Sequence, residues 1–129
     1  MAFVLSDRSI KILDGVHPDL QKVVQCAIRH SVIDFVVTEG LRTPEDDAKL
    51  FERGVSKYEH SRYVTGHAVS VNPYIDGAIS LHWPDHRLVA KAMKECAEQC
   101  GVPLEWGGDW VRFRNGQQYQ LPWEIYPAT

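Results

Sequence analysis

Residues 61–70 read Ser61-Arg62-Tyr63-Val64-Thr65-Gly66-His67-Ala68-Val69-Ser70. This stretch leaves a polar loop, residues 54–62, and enters an apolar run, so Ala68 to Tyr74 is predicted as a strand with a turn at Asp76-Gly77. Working upstream, Thr43-Pro44-Glu45-Asp46 supplies an N-cap residue, a proline at the first helical position and acids in the first turn, which predicts a helix to about Arg53. Phe35-Val36-Val37 is aromatic and β-branched and predicts a strand over Asp34 to Thr38. Pro18 opens a helix to about Arg29 with Leu20, Val23, Val24, Ala27 and Ile28 at helical spacing. A short helix is expected over Ser6 to Leu13. Downstream, Asp85 to Cys100 gives the longest helical pattern: Leu88, Val89, Ala92, Met93, Cys96 and Ala97 share a face, and Gly101 stands where a C-cap glycine belongs. Leu104 to Trp106 and Tyr119 to Leu121 are expected to close a small antiparallel sheet. The fold class is therefore α+β, one domain over 1–129, with no linker, repeat or low-complexity stretch.

Bulk properties set broad limits. A chain of 129 residues can bury a core without disulfides or a structural metal. Fourteen basic against 17 acidic side chains give a net charge of −3, which excludes a broad nucleic-acid footprint. Arg62, Arg112 and Arg114 read as a solvated charged face in preference to a local basic patch. No apolar run approaches transmembrane length and no signal-peptide pattern opens the chain, so no membrane partner is expected. Three cysteines are an odd number and argue against a closed disulfide framework. Cys26, Cys96 and Cys100 are read as small buried hydrophobes in a reducing compartment, in preference to a Cys/His metal cluster.

Two segments carry a resemblance. The first is residues 61–70. The second is Glu105-Trp106-Gly107-Gly108-Asp109-Trp110, continuing through Phe113 to Asn115-Gly116-Gln117-Gln118-Tyr119-Gln120-Leu121. Together they resemble the zinc metallopeptidase family of VanY- and VanX-type D-alanyl peptidases and small phage endolysins that cut L-alanyl-D-glutamate bonds. That family reads S-[RK]-H-x-x-G-H-A-V-D, then E-W-G-G-D-W and F-x-D-x-x-H-F-Q-L. The resemblance extends to Val16-His17-Pro18-Asp19-Leu20 and Glu39-Gly40-Leu41-Arg42-Thr43, and implies a D-Ala-D-Ala-peptidase-like fold of phage or prophage origin, located in the cytoplasm of a bacterial host or in a virion.

The resemblance puts the family's zinc ligands on Tyr63, Ser70 and Gln118, and its water-activating acid on Asn115. A catalytic zinc takes three ligands from histidine, cysteine and carboxylate and leaves one position for water. Two neutral hydroxyls and an amide oxygen are weak partners for such an ion. Asn115 cannot accept a proton as a general base does. The frame is retained and the reacting groups are replaced, so no metal and no hydrolysis are expected.

Arg42, Ser61, His67, Trp106, Asp109 and Trp110 are the candidate groove residues. For Arg42 the alternatives are a forked donor to a substrate carboxylate and an ion pair with Glu39 or Asp109. His67 is read as a packed, hydrogen-bonded histidine. Trp106 and Trp110 suit core and cleft wall better than a ligand platform. A relocated metal site could draw on His60 and His67, or on His82 and His86 at i, i+4 spacing, but Pro84 between the latter two argues against a shared face. The expected function is an inactive peptidase homologue whose groove binds a peptidoglycan stem peptide or a protein partner, with a lysis-related or virion role. The alternative is an active endolysin peptidase with a rearranged metal site.

Overall fold

The computed structural model describes residues 3–54, 62–109 and 122–125. In chain order these form α1 (Asp7–Leu13), α2 (Pro18–His30), β1 (Phe35–Glu39), α3 (Pro44–Glu52), β2 (Ala68–Ile75), β3 (Ala78–Ile79), α4 (Trp83–Cys100), β4 (Glu105–Trp106), a single 3-10 turn (Gly107–Asp109) and β5 (Trp123–Glu124). The expected strand over Tyr119 to Leu121 lies outside the described residues.

Local chemistry fixes the helix ends. Ser6 Oγ accepts the Ser9 N–H at 3.1 Å and caps α1. Thr43 Oγ1 accepts the Asp46 N–H at 3.1 Å and caps α3. Helix α4 stops at Gly101, whose φ of 68° is the left-handed conformation that glycine takes without a Cβ clash. It begins two residues earlier than the sequence suggests, with Pro84 inside its first turn.

The sheet is antiparallel in the order β1-β2-β5-β4, with β3 paired to β2 through the Asp76-Gly77 turn. Phe35 pairs with Pro73 and Val37 with Val71; the register shifts between Val37 and Glu39. The Val37 N–H, at this irregularity, is taken by Ser9 Oγ of α1 at 2.9 Å. Gly40 follows immediately, and a Cβ there would stand 2.6 Å from the Ile12 carbonyl oxygen. Glycine is what allows β1 to leave the sheet against α1.

The core lies between the sheet and the α2–α4 pair. Leu20, Val23, Val24 and Ala27 of α2 meet Val89, Met93 and Cys96 of α4, over Phe35, Val69 and Trp123 from the sheet. Leu88, expected on the buried face of α4, is exposed, and Ala90 is buried in its place. The cysteine reading needs a larger correction. Cys26 and Cys96 are buried as expected, but they are joined as a disulfide across 70 residues, leaving Cys100 free. An odd cysteine count says nothing about one pair that the helix packing brings together.

Candidate functional site

The segment 62–67 is held from several sides. Gly66 has φ 80°, and its carbonyl accepts the His17 N–H at 2.9 Å. The Tyr63 carbonyl accepts the Arg42 N–H at 3.1 Å, and the His67 carbonyl accepts the Ile125 N–H at 3.0 Å. These bonds fix the turn that feeds β2 and aim the Tyr63 side chain inward. Its hydroxyl makes a hydrogen bond to Ser70 Oγ, the two lying seven residues apart and both buried.

Arg42 lies over the Tyr63 ring, with Cζ 4.1 Å from the ring centroid. Its Nε donates to Glu39 Oε1 at 2.8 Å and an Nη to Asp47 Oδ1 at 2.7 Å. Arg42 is 5% exposed and Asp47 1%. The ion pair weighed for Arg42 is thus present with Glu39, and Asp47 joins it. Asp47 reads in sequence as one of three first-turn acids, and nothing there marks it as the buried one.

Burial pushes the Tyr63 phenol far above its ordinary range, against the opposing effects of the Ser70 bond and the Arg42 charge. The phenol stays protonated at neutral pH. Tyr63 and Ser70 therefore present neutral oxygens that already satisfy each other. Among the described residues, the donor set at this point does not fit zinc, which needs imidazole, thiolate or carboxylate. Asn115, Gln118, Ser61, Trp110 and His60 lie outside the described residues.

Glu105 and Glu124 face each other across β4 and β5. Glu124 is buried and pairs with Arg62 at 3.0 Å; Glu105 Oε2 is buried with no partner among the described residues. Burial raises the Glu124 carboxyl above its ordinary 4.5, outweighing Arg62, and Glu105 adds to the rise. A raised carboxylate favours the folded state below its unfolded value and loses that contribution as pH climbs through the folded value. Glu124→Gln is expected to remove the stability loss that sets in as pH climbs above the ordinary carboxylate range, read as a flatter profile of Tm against pH. Parallel profiles for the two proteins would refute it.

Trp106 stacks between Trp83 and Trp123, with ring centroids 5.4 and 5.3 Å away. Lys94 sits over Trp106 at 5.7 Å and pairs with Asp109 at 2.7 Å. Trp83, Lys91, Lys94, Trp106 and Asp109 line a cleft of about 990 Å³ along α4. Arg42, Tyr63 and His67 are not part of its lining, so the candidate groove residues divide between two places. His67 bonds Thr65 Oγ1 at 2.8 Å and packs on His17 at 5.2 Å. His82 caps α4 without a side-chain bond, while His86 Nε2 meets the Ser80 carbonyl at 3.1 Å.

Residues 1–121 match the family described as phage L-alanyl-D-glutamate peptidase. The chain belongs to this family. The L-alanyl-D-glutamate peptidase of Escherichia phage T5 is 34% identical over 116 residues, covering 85% of this chain and 83% of that protein. The crystal structure of the Serratia marcescens L-Ala D-Glu endopeptidase ChiX superposes with a TM-score of 0.84 at 34% identity, covering 98% of this chain and 90% of that one. This member of the phage peptidase family thus keeps the fold of the L-Ala D-Glu endopeptidase around a hydroxyl pair at Tyr63 and Ser70.

Proposed function

We propose that this domain binds a peptidoglycan stem peptide of the L-alanyl-D-glutamate kind and does not cut it. The observation that supports this reading is the Tyr63–Ser70 hydrogen bond, a closed neutral pair at two of the positions where the family pattern calls for metal ligands. Binding and turnover are separable, because a groove is built by the fold while cleavage depends on ionised groups and a metal. The substrates named for the phage T5 peptidase and for ChiX give the ligand class. A lysis-related or virion-associated role is part of the proposal. No described helix is long and apolar enough to cross a membrane.

The test is incubation of the protein with an L-alanyl-D-glutamate peptide, with and without added zinc, under non-reducing conditions. Saturable chemical-shift changes in the protein with no product by mass spectrometry are expected. Zinc-dependent product would overturn the reading in favour of an active peptidase with rearranged ligands. Absence of any binding would overturn it as well.

A further inference from the structure

Helices α2 and α4 each place metal-ligating side chains at their C-terminal ends, away from the residues described above. Cys26 and His30 are four apart on α2, which ends at His30, and so share one face. Cys96 lies one turn before the end of α4. The sulfurs of Cys26 and Cys96 and a ring nitrogen of His30 all lie within 4.8 Å of one another. Both cysteines are buried and His30 is exposed, so the group opens to solvent on one side.

We propose that, with Cys26 and Cys96 reduced, these three side chains bind a zinc-class divalent cation, with water in the fourth position. Two thiolates and an imidazole are the donors such an ion prefers, and three protein ligands with one open place is a common zinc arrangement. The α4 side of the setting also favours a cation. Helix C-termini carry unsatisfied carbonyls and partial negative charge, and the last turn of α4 contains no basic residue.

The same two sulfurs form the disulfide, so the covalent bond and the ion exclude each other. Two molecules of a thiol such as glutathione break the Cys26–Cys96 bond, giving up two electrons and two protons and leaving joined as their own disulfide; metal binding then releases the cysteine thiol protons. In a reducing compartment the ion would tie α2 to α4 where the disulfide is lost.

The whole protein, reduced with a non-chelating phosphine and freed of metal, is titrated with zinc against a chromogenic chelator, and in parallel with cobalt. A single zinc per chain is expected, with thiolate-to-cobalt charge-transfer absorption in the near ultraviolet. The Tm of the reduced protein should rise by several degrees with zinc. His30→Ala should weaken zinc binding at least about tenfold, in the range found when a ligand or its support is removed. Cys26→Ser and Cys96→Ser should abolish the charge-transfer band, and Cys100→Ser should leave it intact. The oxidised protein should bind no zinc here. A reduced wild-type protein that takes up no metal would overturn the proposal, as would a thiolate band that survives Cys26→Ser or disappears in Cys100→Ser. Because the wild-type cobalt spectrum reports thiolate ligation directly, a variant that fails to fold does not decide the outcome. The stem-peptide test uses the oxidised chain, so the two readings fail independently.

Discussion

Arg42→Ala should destabilise the domain by about 3–5 kcal/mol, the range for breaking a buried ion pair by removing one partner. The guanidinium is the shared cation of Glu39 and Asp47, and its departure takes a close charged partner from Asp47, which is 1% exposed. The Tyr63 ring loses the cation above it at the same time. The measurement is chemical denaturation: the midpoint should fall while the slope is unchanged. Arg42→Lys should recover only part of the loss, because an ammonium cannot hold two carboxylates with a planar fork. Adding Asp47→Ala to Arg42→Ala should cost less than the sum of the single changes, since both remove the same contact. A loss below about 1 kcal/mol for Arg42→Ala would place the pair among weak surface bridges and refute the account.

The second large effect is a gain. Tyr63→His, Ser70→Asp, Asn115→Asp and Gln118→His together install the donor types of the family pattern on this backbone. The fourfold variant should acquire a zinc ion that survives desalting under non-reducing conditions, which hold Cys26 and Cys96 in their disulfide. Structural zinc sites bind with on the order of 10 kcal/mol, so the change in affinity should span several decades. Slow cleavage of an L-alanyl-D-glutamate peptide should accompany it. Elemental analysis and mass spectrometry read the two results separately. A variant that folds and takes up no zinc would show that the four positions do not converge on one point.

Much of the fold is legible because its signals are local. The Thr43-Pro44 helix start and the Gly101 stop depend on a few adjacent residues and are found in place. The two-residue strands β3 and β5 are too short to show a period, and pairing at long range defines them. Trp83 and Trp123 become the outer members of an aromatic stack only when α4 and β5 meet across Trp106. The Cys26–Cys96 pairing is hidden for the same reason, being a property of how two helices pack. At the site, Glu39 could be suspected from its i, i+3 relation to Arg42, whereas Asp47 looks like its acidic neighbours until burial singles it out. The contact of Tyr63 with Ser70 is suggested by the family pattern and not by spacing, since seven residues of turn and strand set no distance between side chains.

The Tyr63–Ser70 contact also shapes which sequences can follow one another by single substitution. Each hydroxyl is the other's partner in a buried place. Changing Tyr63 alone leaves the serine without that partner, and Ser70→Asp alone brings a carboxylate into a buried place without the metal that would hold it. A stranded buried polar group costs about 1–3 kcal/mol, and more for a charge. A lineage moving between a hydroxyl pair and a ligand pair, in either direction, therefore crosses a less stable intermediate. Two changes at once avoid that valley, and so does a stabilising change elsewhere that comes first.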